Sequence, residues 1–216
     1  MNDSQGMNSS TAEPGTQVEV VNGKNVFVWT GLMTGCQSKV AVLEEFAKQH
    51  PNSSIRVIFN SDGGGVDDCR EAYNRILIMR ILYKMHFTFV VLKAKSCAFW
   101  FIQCADVRIG LPHTALMYHC VRWKLEGAKS EHELSDARRS MMRNQAEFTE
   151  ILCSRSPNPK KAARKLMNQI SDGLDYDYTA KQAVKKGWLD AIYTPEFSQF
   201  SDTPDLSGLS LDVKSD

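Results

Sequence analysis

At 216 residues, the chain is long enough to bury the core of one domain but leaves little room for a second one. Its 26 lysines and arginines almost balance its 25 acidic residues, and the net charge of +1 gives no electrostatic reason to expect a nucleic-acid partner. Apolar runs such as FTFVVL are far shorter than the roughly 20 residues that span a bilayer. We therefore expect protein or peptide partners and no membrane.

Composition also suggests the compartment and the limits of the domain. The opening residues MNDSQGMNSSTAEPG lack the basic and apolar regions of a secretory signal, so the cytoplasm is the expected location. The six cysteines form no CxxC pair and are interpreted as small buried side chains, so neither a metal nor an organic cofactor is expected. The chain divides into a flexible segment at 1–22, one domain at 23–195 and a flexible tail at 196–216.

The first half of the chain alternates strands and helices. Hydrophobic spacing and turn residues predict a strand at 25–31, a helix at 38–49, a strand at 55–60, a helix at 66–85 and a strand at 87–92. The strands are almost continuously apolar, which is typical of strands buried on both faces. This alternation predicts an α/β domain in which helices cover a parallel sheet.

The second half begins with an apolar stretch, 96–105, that is too long for a typical strand. Two short strands are predicted next, at 107–110 and 115–119, followed by a helix of more than 20 residues at 131–153. Another helix, at 158–170, contains KKAARK, interpreted as a solvated face. A last helix is stopped by Gly187 and precedes a closing strand.

Two unusual segments follow neighbouring strands. The three glycines Gly63 to Gly65 come directly after IRVIF and its polar NSD, and Ser96 comes after the next strand. Because ligand sites form beyond the carboxyl ends of parallel strands, we expect both segments at one edge of the sheet. A glycine turn can present backbone N–H groups to a developing negative charge, beside a serine that opens a helix.

A serine nucleophile needs a base, and His119 stands at the end of the strand candidate ALMYH. The segment ISDGLDYDY offers Asp172, Asp175 and Asp177 as carboxylates that could orient the imidazole. Simpler roles exist for each residue: Ser96 could cap its helix, the histidine could be structural and Asp172 could cap its own turn. A phosphate loop is not indicated, because GGGVDDC lacks the lysine and hydroxyl that such a loop needs.

Five segments together resemble the proteolytic subunit of the Clp protease and its phage-encoded relatives. They read VFVWTG, IRVIFNSDGGGV, AKSCAFWFIQCADVRIGLPHTALMYHC, GAKSEHEL and DYTAKQAVKKGWLDAIY, and their order and spacing match from about residue 25 to 193. The resemblance implies the α/β fold that this family shares with the crotonases, with layers of parallel sheet and a protruding long helix. It also implies serine endopeptidase activity.

Carried over by position, the resemblance makes Ser96 the nucleophile and His119 the general base. The backbone N–H groups of Gly64 and Cys97 become the oxyanion hole. The family's acid precedes the T-A pair by a variable distance, and counting back from Ala180 selects Asp172, with Asp175 in reserve.

The family also implies homo-oligomeric rings that enclose the sites, unfolded or flexible protein substrates, and in some members an ATP-dependent unfoldase. Asp62 stands here for the usual proline, Lys95 for a small residue, and Cys120 and Val121 for Gln and Pro after the histidine. These departures suggest a divergent, viral branch and leave open an inactive structural ring subunit. A crotonase-type acyl-CoA enzyme, which holds an enolate with backbone amides, is a further alternative.

Overall fold

A computed structural model of the chain describes residues 16–122, 127 and 130–194. The flexibility predicted for residues 1–15 and 196–216 falls outside this part of the chain. The described residues form one seven-stranded sheet. Its strands are β1 (Glu19–Val21), β2 (Lys24–Thr30), β3 (Ser54–Ser61), β4 (His86–Lys95), β5 (Val107–Tyr118), β6 (Tyr176–Tyr178) and β7 (Ala191–Ile192).

The central strands are parallel, as the sequence predicted. Strands β2, β3, β4 and β5 pair in that order, β6 adds antiparallel to β5, and β7 pairs parallel with the other half of β5. The helices are α1 (Gln37–Gln49), α2 (Val66–Leu82), α3 (Cys97–Phe101), α4 (Glu131–Cys153), α5 (Pro159–Ile170) and α6 (Ala180–Lys185). The predicted α/β class is confirmed.

A hairpin at the start of the domain lies inside the segment that was predicted to be flexible. Strand β1 pairs antiparallel with β2, and Asn22 and Gly23 form the turn with φ of 48° and 71°. Two consecutive positive φ angles are typical of a tight hairpin turn, for which Asn-Gly is a favoured pair. Regular structure therefore begins before residue 23, the boundary drawn from composition.

Strand β5 replaces the two short strands that the sequence predicted. Between the pairs Val91↔Gly110 and Lys93↔Ala115, β4 has one residue where β5 has four, so the strand continues through a wide irregularity. The Thr114 hydroxyl holds it by donating to Val91 O at 2.7 Å and accepting from the Leu111 N–H at 2.6 Å. One strand can thus contain Pro112, which has no N–H for a ladder bond.

The apolar stretch 96–105 becomes α3 and a 3₁₀ turn at Ile102–Cys104, and every residue of α3 is buried. The Trp100 ring stacks on Phe148 of α4, with ring centroids 4.5 Å apart and planes 4° from parallel. Helix α4 starts with a capping box between Ser130 and Glu133, yet its first buried residue is Gln145. The first half of this long helix therefore projects from the body of the domain.

Most of the core lies between the sheet and these helices, with a cluster of aromatic rings at its centre. The ring centroids of Trp29, Phe59, Phe89 and Phe101 lie 5.2 to 6.0 Å from their neighbours in the cluster. Among the described residues, no helix is long and apolar enough to cross a membrane.

Candidate active site

Three strand ends meet at one edge of the sheet. Ser61, the last residue of β3, is opposite Ala94 of β4, and Lys95, the last residue of β4, is opposite Met117 of β5. The residues that follow these strands are the glycine turn, Ser96 and His119. The expectation that the glycine turn and Ser96 share an edge is therefore confirmed.

Ser96 occupies a sharp turn between β4 and α3. Its backbone has φ 55° and ψ −128°, and its N–H donates to Met117 O at 2.9 Å. Only a few non-glycine residues adopt positive φ, and those that do so at a strained angle often lie at functional sites. The hydroxyl does not cap α3, which was the simpler role considered for it. It lies instead 2.8 Å from His119 Nε2.

The glycine turn packs against Ser96 on one side and against the chain after β2 on the other. A Cβ on Gly63 would lie 2.7 Å from Ser96 Cβ, and a Cβ on Gly64 would lie 2.7 Å from Thr34 Oγ1. Both glycines have positive φ, of 96° and 144°. Glycine is thus required here by backbone angle and by the space available.

The two residues whose amides are assigned to the oxyanion hole are in contact. The Cys97 thiol donates to Gly64 O at 3.6 Å, which brings the start of α3 against the glycine turn. The hydrogen bond with the Cys69 thiol and, to a smaller extent, backbone hydrogen bonds at Gly64 and Cys97 lower the pKa of the Cys97 thiol, so both amides lie close to that sulfur. The binding of an oxyanion requires amides beside the nucleophile whose N–H groups can donate to it.

His119 is half-buried, and its second ring nitrogen has no partner. Nδ1 is buried without a hydrogen bond to any residue that the structure describes. Burial is the main cause that lowers the pKa of the imidazole below its usual 6.5, and the Arg122 charge lowers it further. The Asp175 charge opposes both effects, and so does the backbone of Cys120. The neutral ring can accept a proton through Nε2, on the side where Ser96 lies.

Asp172, the carboxylate selected from the sequence, forms no hydrogen bond with the imidazole in the part of the chain that the structure describes. Its Oδ1 accepts from the Leu174 N–H at 2.9 Å and its Oδ2 accepts from the Tyr176 hydroxyl. These two bonds lower the pKa of Asp172, that of Tyr176 having the larger effect. The carboxylate caps its own turn, which was the simpler role considered for it.

Asp175, the reserve candidate, lies on the histidine side. It forms an ion pair with Arg122, and both side chains are about half exposed to solvent. Its charge acts on His119, whereas that of Asp172 is absent from the causes that shift the histidine pKa.

A buried polar network, which the sequence did not point to, holds the end of β5 in place. Gln145 of α4 accepts from the Val121 N–H at 2.5 Å and donates to the Tyr118 hydroxyl at 3.1 Å. Tyr118 also contacts the Thr149 hydroxyl at 3.1 Å. These bonds flank His119 on both sides along the chain. The sequence signal that could have indicated this network is the pair Gln145 and Thr149, two polar residues four apart on an otherwise apolar face of α4.

A cavity of about 280 Å³ opens beside the pair Ser96–His119. The side chains of Val66, Trp100, Val121 and Phe148 give it apolar walls, and Arg122 stands among its lining residues. Asp62, the acid in place of the family's proline, pairs with Lys93 at 2.7 Å, so its charge is compensated. No three potential metal ligands come together within the described residues.

The geometry and the sequence motifs agree with a comparison against known protein families. The family model of the Clp protease matches residues 19–196, which includes every strand of the sheet and all the site residues discussed above. The match spans well over half of the chain. Together with the mainly parallel sheet flanked by helices, it shows that this chain has the fold of the Clp proteolytic subunits and belongs to the Clp protease family.

Proposed function

We propose that the protein is a serine endopeptidase in which Ser96 is the nucleophile and His119 the general base. The single observation that carries this proposal is the 2.8 Å distance between Ser96 Oγ and His119 Nε2. The histidine takes the hydroxyl proton as Oγ attacks the carbonyl carbon of a peptide bond. It then gives this proton to the leaving amine and activates the water that hydrolyses the acyl-enzyme.

The negative charge of each tetrahedral intermediate falls on the former carbonyl oxygen. The N–H groups of Gly64 and Cys97 donate to this oxygen, and the contact between the two residues beside Ser96 supports the assignment. Ser96 lies in a strained turn before a short helix, and its Oγ packs beside the glycine turn, 3.3 Å from where a Cβ on Gly63 would lie. The strain fixes the nucleophile before a substrate arrives.

For the third member of the triad we propose Asp175 instead of Asp172. The charge of Asp175 favours the protonated imidazole, which is the form that a triad carboxylate stabilises. Asp172 is occupied by the Leu174 N–H and by Tyr176. In this proposal Asp175 exchanges its ion pair with Arg122 for a hydrogen bond from His119 Nδ1 when the enzyme is active.

The substrates proposed are unfolded or flexible protein segments. The cavity beside Ser96 has room for a single apolar side chain rather than for a folded surface. The projecting half of α4, which buries no residue within its own chain, supports assembly into homo-oligomeric rings. An ATP-dependent unfoldase would supply such a ring. All six cysteines are free, as in a reducing compartment such as the cytoplasm.

The test is labelling of the purified protein with a fluorophosphonate, followed by peptide mapping. Label on Ser96 that disappears in Ser96→Ala and in His119→Ala is the expected result. A matched control is Ser156→Ala, a buried serine whose hydroxyl donates to Lys186 O and which is absent from the lining of the cavity at Ser96. This variant is expected to keep the label on Ser96. Absence of label on a folded, assembled wild type would refute the assignment.

One observation favours a second candidate, an inactive structural ring subunit. His119 Nδ1 is buried without a partner, and Asp172 is hydrogen-bonded elsewhere. If this arrangement persists in the assembled protein, the ring forms but Ser96 is not activated. Rings observed by light scattering that neither take up the fluorophosphonate nor cleave casein would support this candidate.

A further inference from the structure

Helices α5 and α6 carry an unusual concentration of uncompensated positive charge. Neither Pro159–Ile170 nor Ala180–Lys185 contains an acidic residue. No basic side chain of these helices, or of the adjoining Lys186, forms an ion pair with the residues that the structure describes. These side chains, here called the basic face, are Lys160, Lys161, Arg164, Lys165, Lys181, Lys185 and Lys186.

A cavity of about 220 Å³ lies within the basic face, away from the candidate active site. Lys161, Lys165 and Lys186 surround it, while Leu166 and Trp188 are among its apolar lining residues. The Lys186 ammonium lies 4.9 Å from the centre of the Trp188 ring, so this cation is already held over the cavity. Apolar walls with a positive rim fit an apolar side chain that has carboxylates beside it.

Such a combination occurs in this chain directly after the described residues. Residues 195–216 contain five acidic residues and one lysine. At their start, PEFSQFSD places two phenylalanines, Phe197 and Phe200, between Glu196 and Asp202. We propose that this segment, 195–202, binds the basic face of its own chain, with a phenylalanine in the cavity and its carboxylates on the lysines.

The connection makes this contact possible without any rearrangement of the domain. The described chain continues past β7 to Thr194, six residues after Trp188 of the cavity. Six residues span at most about 22 Å, and the eight from Thr194 to Asp202 extend about as far again. Phe200, six residues beyond Thr194, can span about the same 22 Å, whereas Phe197 spans only about 11 Å. Phe200 is therefore the phenylalanine whose reach matches the distance to the cavity. Because both partners belong to one chain, the effective concentration is high and a modest affinity is sufficient.

The test compares amide hydrogen exchange of residues 195–216 in the full-length wild type and in Lys161→Glu/Lys186→Glu. Reversal of two charges at the cavity is expected to speed exchange in 195–202 several-fold. The matched control is Lys24→Glu/Lys48→Glu, which makes the same charge change on β2 and α1 and is expected to leave the exchange unchanged. Carbodiimide cross-linking supplies a second readout, with Glu196 or Asp202 joined to Lys161, Lys165 or Lys186.

Several results would overturn the proposal. One is equal exchange in the wild type and the double variant. Another is cross-links that appear only between two copies, distinguished by mixing isotopically light and heavy chains. A third is protection of the lysines by a short single-stranded oligonucleotide while residues 195–202 remain unprotected, which would identify the basic face as a nucleic-acid surface. None of these readouts depends on catalysis, so they are independent of the function proposed above.

Discussion

Gly63 lies against Ser96 so closely that its hydrogen cannot be replaced by a methyl group. A Cβ at this position would lie 2.7 Å from Ser96 Cβ and 2.8 Å from Lys95 O, whereas real side chains essentially never approach below 3.0 Å. The glycine turn therefore shapes the backbone around the nucleophile that we propose, in addition to the oxyanion-binding role proposed for Gly64.

We expect Gly63→Ala to abolish fluorophosphonate labelling of Ser96, because the new methyl group must displace the nucleophile or the turn. Gly31→Ala is the matched control, since Gly31 has the same φ of 96° but nothing within 4 Å of its Cβ position. Both variants carry strain of roughly 1–2 kcal/mol from the positive φ. Labelling should survive only in Gly31→Ala, and equal loss in both would attribute the effect to backbone strain alone.

The pH profile of peptide hydrolysis should report the environment of His119. Because burial and Arg122 lower its pKa, activity should fall with acidification around a midpoint below 6.5. Arg122→Gln removes a positive charge and should raise the midpoint, whereas Asp175→Asn removes a negative charge and should lower it. A midpoint that is the same in all three proteins would show that another group governs the profile.

The two carboxylates can be separated by single substitutions. Asp175→Asn is expected to lower kcat/KM by about 10²–10⁴-fold, in the range seen when a triad carboxylate is replaced by an amide. Asp172→Asn, which leaves the Leu174 N–H an acceptor oxygen, should change kcat/KM by only a few-fold. The opposite ranking in a continuous peptide assay would restore Asp172 as the acid and indicate that its turn rearranges in the active enzyme.

The hydrogen bonds that Gln145 of α4 forms with the end of β5 should contribute to both stability and activity. Gln145→Ala leaves the Val121 N–H without its acceptor and should cost about 1–3 kcal/mol in the free energy of unfolding. It should also lower kcat/KM, since the histidine loses support on one side. Arg143→Ala, on the exposed face of the same helix, should do neither. Urea unfolding and peptide hydrolysis measure the two effects. A Gln145→Ala enzyme with the wild-type free energy of unfolding and kcat/KM would show that these hydrogen bonds contribute to neither.

The sheet could be predicted from periodicity and strand order, whereas the choice of His119 as the partner of Ser96 rested on the resemblance to the Clp proteolytic subunits. Nearly continuous apolar runs identify buried parallel strands, and parallel strands place their following residues at one edge. The hairpin at Asn22–Gly23 also had a readable signal, since Asn-Gly between alternating residues is a strong turn indicator. The prediction of a flexible segment at 1–22 used the composition of the whole segment, and this average does not reveal a single turn.

Other features depend on three-dimensional contacts that the sequence does not contain. The continuity of β5 through Pro112 depends on the Thr114 hydroxyl, which contacts residues of two strands. The choice between the two candidate carboxylates depends on how one exposed turn folds. Within that turn, aspartates three residues apart, Asp172 and Asp175, point to different partners. No spacing rule distinguishes them, because local hydrogen bonds of similar strength decide the result.

The positive φ of Ser96 has a consequence for the thermal stability of the protein. Glycine adopts such an angle without cost, so Ser96→Gly should unfold at a higher temperature than Ser96→Ala, with a difference of about 1 kcal/mol. Both variants lack the hydroxyl, which isolates the backbone effect. The fold would therefore be more stable with glycine at position 96, the position to which we assign the nucleophile. Heat-resistant variants collected without a screen for cleavage should therefore include chains that have lost the nucleophile.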